Sequence, residues 1–100
     1  MDAPAKGFYY HYKHDPAGHF NNYAYEVIGT ARHTEERFYM VLYRPLYENA
    51  YMAPADYHAR PLEMFMGTVS IEGKEVARFT QITDPEIIGK LEAIRKEMYG

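Results

Sequence analysis

Five short strand-like runs follow one another between residues 7 and 82, and this pattern constrains the fold more than any other feature. The runs are rich in Tyr, Phe, Val and Ile, which favour strands, and polar or Gly/Pro-containing turns separate them. They span residues 7–14, 23–32, 38–43, 64–71 and 75–82. Strands so few and short cannot form a sandwich of two full sheets. We therefore expect a mainly β fold built as a small, strongly bent sheet or a barrel.

Three local signals support this expectation. The turn at residues 72–74 (EGK), between two apolar runs, is typical of a β-hairpin. Residues 38–43 (FYMVLY) are apolar throughout, which predicts a central strand buried on both faces. Gly29 and Gly67 lie inside strand patterns, where glycine commonly marks a bend or a bulge. The sheet is therefore expected to bend.

Alternation along the second run predicts which side chains share a face of the sheet. One face carries Tyr23, Tyr25, Val27 and Ala31. The other carries Ala24, Glu26, Ile28, Thr30 and Arg32. The first set is the more apolar and is expected to face the core, with Arg32 on the opposite side.

Residues 84–99 are predicted to form a helix that ends the domain. Asp84 suits the N-cap and Pro85 the first helical position. An apolar stripe at helical spacing follows, made by Ile87, Leu91, Ile94 and Met98. We expect this stripe to pack against one side of the sheet. Residues 7–100 then form a single domain, and residues 1–6 a flexible N-terminal end.

The composition excludes several classes of protein and site. The chain has no cysteine, which removes disulfides, thiolate nucleophiles and cysteine-based zinc sites. Small secreted domains usually need disulfides, so a cytoplasmic location is expected. No apolar run approaches the roughly 18 residues of a membrane span. Lys and Arg total 11 against 14 Asp and Glu, and the net charge of -3 predicts no broad attraction to nucleic acid or membranes.

The histidines are weak candidates for a metal site. His11, His14 and His19 lie near one another, but their spacing matches no zinc pattern such as HExxH. On a strand, the rings of His11 and His14 would point to opposite faces, which is poor ligand geometry. We therefore expect neither a metal nor a cofactor.

His33 and Glu35 form the one candidate acid–base pair. Histidine titrates near neutral pH, and a neighbouring carboxylate could orient its ring. The alternative, which we favour, is a turn whose Thr34 hydroxyl caps local backbone groups. The chain contains no GxSxG, P-loop or GxGxxG motif. The sequence therefore leans away from an enzyme.

Arg60 and Arg78 are each followed by apolar residues, which predicts that both side chains are partly shielded from water. A guanidinium keeps its charge in such surroundings and needs acceptors. Glu63 or Glu35 could supply them, which would make the arginines structural. Alternatively, the arginines surround a cleft that binds phosphate or carboxylate, with Tyr and Phe as stacking surfaces. The candidate binding residues are His11, Arg32, His33, Glu35, Arg60, Glu63 and Arg78.

Five stretches of the chain form a recognisable pattern: residues 9–13 (YYHYK), 25–35 (YEVIGTARHTE), 41–44 (VLYR), 60–65 (RPLEMF) and 73–79 (GKEVARF). Together they resemble a known family of short bacterial proteins, domain of unknown function family 1653. The chain departs from the family in longer loops at 14–22 and 48–57, and in His58, where the family often has Trp. The resemblance implies a compact β fold, such as a small barrel of the SH3 or Sm type. It implies no known activity, substrate or catalytic residue.

Three kinds of function therefore stay open. The leading hypothesis is a small binding module that recognises an anionic ligand, a peptide or a nucleic-acid segment. The second is a small enzyme that uses His33 and Glu35, with Arg60 and Arg78 as an anion clamp. The third is a structural subunit that associates with other copies of itself through a Tyr-rich surface. Convergence of the Arg and His side chains in the structure would discriminate between them.

Overall fold

A five-stranded antiparallel sheet organises the chain in the computed structural model, which describes residues 3–48 and 57–100. The strands are β1 (Gly7–His11), β2 (Ala24–Arg32), β3 (Tyr39–Pro45), β4 (His58–Pro61), β5 (Thr68–Ile71), β6 (Lys74–Ala77) and β7 (Phe79–Gln81). The helices are α1 (Leu62–Phe65) and α2 (Pro85–Tyr99). The large sheet has the order β4-β3-β2-β1-β7, and β5 pairs with β6 as a separate hairpin. The fold is therefore mainly β with a C-terminal helix, as predicted.

The sheet does not close into a barrel over these residues. Strands β4 and β7 form its two edges, and the β5–β6 hairpin, which would have to bridge them, pairs only with itself. The expectation of a barrel is therefore corrected to an open sheet, and an SH3 or Sm type is not confirmed.

The open sheet is nevertheless curved. Strands β4 and β7 are four steps apart, which in a flat sheet would separate them by about 19 Å. Yet the guanidinium carbon of Arg60, on β4, lies 5.7 Å from the ring centre of Phe79, on β7. The face that carries these two side chains is therefore concave.

The last two predicted strand runs were wrong in their boundaries. Residues 62–65 form α1, and the run 75–82 is divided at Arg78 into β6 and β7. The division has a hydrogen-bonding cause: the Arg78 N–H donates to the Gly67 carbonyl, while the Arg78 carbonyl accepts from the Tyr12 N–H. At Arg78 the chain therefore leaves the hairpin and joins β1. Strand β4 was not predicted, because its four residues (HARP) carry little apolar pattern.

A bulge in β2 changes which residues share a face. The register with β3 shifts between Val27 and Gly29, which confirms the distortion predicted at Gly29. Beyond the shift, Arg32 lies opposite Tyr39 and Ala31 opposite Met40. Directly opposed residues share a face, so Arg32 shares the face of Val27, and Ala31 lies on the other. The alternation predicted beyond residue 28 was therefore wrong.

The two faces of the sheet bury different cores. The concave face, which we call the aromatic face, buries Tyr9, Tyr25, Val27, Val41, Tyr43 and Phe79, with Phe65 packed on them. Phe65, from α1, stacks on the Phe79 ring with 4.1 Å between ring centres. The opposite face, which we call the helix face, packs Phe8, Ala24, Leu46 and Ile82 against Leu91 of α2.

Helix α2 confirms the prediction made for residues 84–99. The Asp84 side chain accepts a hydrogen bond from the Glu86 N–H, and Pro85 occupies the first turn. Leu91 is fully buried. Glu26, on the helix face, pairs with Arg44 at 3.0 Å and with Arg95 of the helix at 3.6 Å. No helix within residues 3–48 and 57–100 is both long and apolar enough for a membrane crossing.

Candidate functional site

Three basic side chains from distant parts of the chain meet at the aromatic face: His11, Arg60 and Arg78, which we call the basic cluster. His11 ends β1 and lies opposite Phe79. Arg60 lies opposite Val41, which places it on the aromatic face. Arg78 immediately precedes β7, and both arginine charges act on His11. The curvature of the sheet brings these elements together.

Arg60 is held by the aromatic face itself. Its Nε donates a hydrogen bond to the Tyr43 hydroxyl at 3.2 Å, and its guanidinium lies over the Phe79 ring. These contacts orient the guanidinium but use only one of its five N–H groups. Among residues 3–48 and 57–100, Arg60 is therefore a positioned cation with N–H groups left for another acceptor.

Arg78 carries an unmet hydrogen-bond donor. Its Nε is buried and has no hydrogen-bond partner among the described residues. Both backbone groups of Arg78 are bonded, so its position is set by its neighbours. A buried donor without an acceptor costs about 1–3 kcal/mol, and more beside a charge. An unmet buried donor of this kind is rare in folded proteins and marks Arg78 as a residue whose role needs explanation.

The glutamates predicted to neutralise the arginines do not do so. In the described part of the chain, the ion pairs are Glu26 with Arg44 and Arg95, and Glu86 with Lys90. Glu63 is exposed on α1 and lines a separate groove beside Phe38 and Tyr39. Glu35 is exposed in a turn. Over these residues the basic cluster therefore lacks a paired carboxylate.

His11 is neutral at physiological pH. Burial, followed in order of effect by the charges of Arg60, Lys13 and Arg78, lowers its pKa to about 4. Its Nδ1 accepts a hydrogen bond from the Lys13 N–H at 3.2 Å. The neutral ring then carries its proton on Nε2, which is left as a donor. At neutral pH the basic cluster thus offers two positive charges and one neutral N–H donor.

Tyrosine and phenylalanine rings surround His11. Its ring centre lies 4.4 Å from Tyr12, 5.1 Å from Phe79 and 5.7 Å from Tyr23. Tyr25 also approaches, and its hydroxyl is 2.6 Å from that of Tyr47. Burial raises the pKa of Tyr25 above its ordinary value, followed by the bond to Tyr47. The Tyr25 phenol therefore stays protonated and adds no negative charge to the cluster.

Tyr23 adopts a backbone conformation that is unusual for a tyrosine. Its φ is 54°, in the left-handed region, which costs a non-glycine residue on the order of 1 kcal/mol or more. The Tyr23 carbonyl accepts a hydrogen bond from the His11 N–H at 3.0 Å, which holds the two residues side by side. Strain of this kind collects at functional sites, and here it presents a ring to His11.

The other predicted site residues lie elsewhere. Arg32 shares the aromatic face but is exposed at the end of β2. The His33 ring stacks on Phe38, and its Nδ1 accepts hydrogen bonds from the backbone N–H groups of Glu35 and Glu36. His33, and not Thr34, therefore caps this turn. It lies ten residues beyond Tyr23, on the order of 30 Å along the strand.

His14 also lies apart from the basic cluster. His14 stacks on Tyr10 with 3.6 Å between ring centres, and its Nδ1 bonds to the Asn22 carbonyl. His11 and His14 are separated, but by the turn after β1 and not by strand alternation as predicted. Throughout residues 3–48 and 57–100, no three His, Asp or Glu side chains are grouped to hold a metal.

Sequence reasoning missed the tyrosines that line the site. Tyr23, Tyr25, Tyr43 and Tyr47 each contribute a ring or a hydroxyl, and eleven tyrosines in 100 residues were the available signal. Which of the eleven converge depends on strand order and register. The predicted longer loop at 48–57 lies almost wholly outside the described residues.

Comparison with known proteins places this architecture in a family. The family model for "Protein of unknown function (DUF1653)" matches residues 7–81, three quarters of the chain. The chain belongs to the DUF1653 family. Each member of the basic cluster lies within the matched residues, whereas helix α2 lies beyond them.

A solved structure is similar to this DUF1653 chain. It is the crystal structure of a DUF1653 protein from Bordetella bronchiseptica, 29% identical, with a TM-score of 0.60. The similarity covers 79% of this chain and 91% of that one. A comparison with curated proteins found no match. The family therefore establishes a shared fold, and function has to be argued from the site.

Proposed function

We propose that this DUF1653 protein is a small binding module that holds an anionic ligand at the basic cluster. The observation that carries the proposal is that two guanidinium groups, those of Arg60 and Arg78, lie near His11 without a paired carboxylate from the described residues. A phosphate or carboxylate would supply oxygen acceptors to both arginines. Charge-assisted hydrogen bonds of this kind are about twice as strong as neutral ones.

The distribution of charge favours a small anion over a long polyanion. The whole chain carries a net charge of -3, so the basic cluster is a local positive region on an acidic protein. Glu26, the carboxylate on the central strand β2, lies on the opposite face, where it pairs with Arg44 and Arg95. The cluster therefore keeps a local field that attracts one or two negative charges, whereas a polymer would also meet the acidic remainder of the surface.

The geometry favours binding over catalysis. The enzyme alternative needs His33 and Glu35 to act beside Arg60 and Arg78, and the contacts of His33 are to its own turn. His11, which does lie beside the arginines, is neutral at pH 7 with Nδ1 already engaged. The site therefore supplies hydrogen-bond donors and positive charge, which hold an anion without breaking a covalent bond in it.

Self-association is a second candidate with its own observation. Phe38, Tyr39 and Met64 are exposed and border a groove of about 520 Å³. A surface of this kind is typical of protein contacts. Light scattering after gel filtration tests this candidate. A protein that is still monomeric at a concentration on the order of 100 µM argues against self-association.

Calorimetric titration with inorganic phosphate tests the proposed function. Arg60→Met and Arg78→Met keep the aliphatic stem of each side chain but remove its charge, and each is expected to weaken binding about 10- to 100-fold. Arg32→Met is the matched control, because Arg32 is on the same face but exposed at the strand end. It should leave affinity unchanged. Equal affinities in all four proteins, or no binding by the unmodified protein, would overturn the proposal.

A further inference from the structure

A groove lies beside Tyr12 and Lys13, the two residues that follow His11 of the basic cluster. It has a volume of about 490 Å³ and is lined by Tyr12, Lys13, Ile71, Val76, Ala77 and Thr80. Small-molecule sites typically enclose about 300–1,000 Å³. One wall comes from the turn after β1, and the other from the β5–β6 hairpin and β7. The groove is therefore large enough for one small organic ligand.

Tyr12 and Lys13 join this groove to the basic cluster. In an extended strand, consecutive side chains point to opposite faces, but β1 ends at His11. The rings of His11 and Tyr12 can therefore meet, with 4.4 Å between their centres. The Tyr12 N–H donates to the Arg78 carbonyl, and the Lys13 N–H donates to His11. These two hydrogen bonds, both donated by backbone N–H groups, thus fix the turn that lies between the basic cluster and the groove.

The two parts differ in what they can bind. The cluster side offers guanidinium donors and, from the groove, the ammonium group of Lys13. The groove side offers an aromatic ring at Tyr12 and aliphatic surface at Ile71 and Val76. A ring of this kind stacks on a planar base, a contact worth roughly a factor of ten or more in affinity. One ligand that fits both has a small anion at one end and a planar ring at the other.

We propose that the ligand is a nucleoside monophosphate, with its phosphate at Arg60, Arg78 and Lys13 and its base against Tyr12. This inference rests on the proposed function and adds the ligand class. The phosphate would accept hydrogen bonds from the terminal N–H groups of the Arg60 and Arg78 guanidinium groups. The base would cover the aliphatic wall of the hairpin. The same chemistry is present in a free nucleotide and in one nucleotide of a single strand, and the acidic net charge favours the free form.

The test compares four probes by calorimetry: inorganic phosphate, adenosine, adenosine 5′-monophosphate and a short oligodeoxyadenylate. We expect the monophosphate to bind at least tenfold more tightly than phosphate or adenosine, and no less tightly than the oligonucleotide. Equal binding of monophosphate and phosphate would overturn this inference and leave the proposed function standing. No binding of either would overturn both. Tighter binding of the oligonucleotide would overturn the free nucleotide as the source.

Variants of Tyr12 locate the base. Tyr12→Ala should weaken binding of the monophosphate about tenfold and leave binding of phosphate unchanged, while Tyr12→Phe keeps both. Tyr39→Ala is the control, since Tyr39 is exposed on the other groove. NMR supplies a readout independent of folding of the variants: the monophosphate, but not phosphate, should shift the methyl signals of Ile71 and Val76. Methyl signals that stay unmoved would contradict the inference.

Discussion

Acid should destabilise this protein through a single histidine. His11 has an ordinary pKa of 6.5 and a pKa of about 4 in the folded chain, because it is partly buried and faces Arg60, Lys13 and Arg78. Above pH 6.5 the ring is neutral in both folded and unfolded chains, and its contribution to stability is fully present. As the pH falls from 6.5 towards 4, the unfolded chain takes up a proton that the folded chain refuses. Stability is therefore lost across that window.

The size of the loss follows from the same two values. A pKa change of this size corresponds to about 3 kcal/mol if it is fully expressed. His11 is only half-buried, and solvent screening reduces the electrostatic part. We therefore expect a loss of about 1–2 kcal/mol in the free energy of unfolding between pH 6.5 and pH 4.

His11→Asn isolates this contribution. The asparagine oxygen can replace Nδ1 as acceptor for the Lys13 N–H, but the side chain does not titrate. Urea unfolding, followed by circular dichroism from pH 7.5 to pH 4, should show the unmodified protein losing about 1–2 kcal/mol relative to the variant. The carboxylates are common to both proteins, so their titration cancels in the difference.

His19→Asn is the matched control, because His19 is exposed in the loop after β1. This variant should follow the unmodified protein at every pH. If the His11→Asn curve also runs parallel to that of the unmodified protein across the whole range, the reasoning about His11 is refuted. A relative gain of stability by the unmodified protein in acid would refute its sign.

Three further predictions concern the stability of the fold. Leu91→Ala should lower the free energy of unfolding in urea by about 2–5 kcal/mol, because Leu91 is fully buried between helix and sheet. Glu92→Ala, on the exposed side of the helix, should change it little. Equal losses of stability in the two variants would contradict this packing. Arg78→Met should leave the melting temperature unchanged or raise it, because the Nε of Arg78 has no partner among the described residues. Arg44→Met, which breaks the ion pair with Glu26, should lower the melting temperature. A larger drop for Arg78→Met than for Arg44→Met would show that Arg78 is structural. Gly67→Ala should destabilise the folded protein by about 1–3 kcal/mol, since the added Cβ would lie 2.9 Å from the Glu63 carbonyl oxygen. An unchanged urea midpoint would argue against that close approach.

The elements that depend on neighbouring residues could be predicted from the sequence. Helix α2 begins where Asp84 and Pro85 predict, because capping and proline geometry act over a few residues. The hairpin at residues 72–74 has the same local origin: Glu72 and Gly73 both take positive φ, as a two-residue hairpin turn requires. Gly29 marked the bulge, although its effect on the faces of β2 was not foreseen.

The candidate site could be predicted only as a set of residue types. Arg60 and Arg78 were candidates because a charged group beside apolar residues needs partners, and His11 was a candidate as one of three histidines close together in the sequence. Arg32, His33, Glu35 and Glu63 were candidates too, but they lie away from the cluster. Nothing local distinguishes the two sets, since the three members of the basic cluster come from segments far apart in the chain.

Convergence was decided by the tertiary structure. Strand order places β4 and β7 at opposite edges, and the curvature of the sheet then brings Arg60 within 5.7 Å of Phe79. Likewise, the bulge after Val27 turned Arg32 to the aromatic face, and two hydrogen bonds at Arg78 moved the chain from the hairpin to β1. Pattern and capping act within one element, whereas register and curvature come from pairing between segments far apart in sequence. That is why the residue types of the site could be inferred beforehand but their meeting point could not.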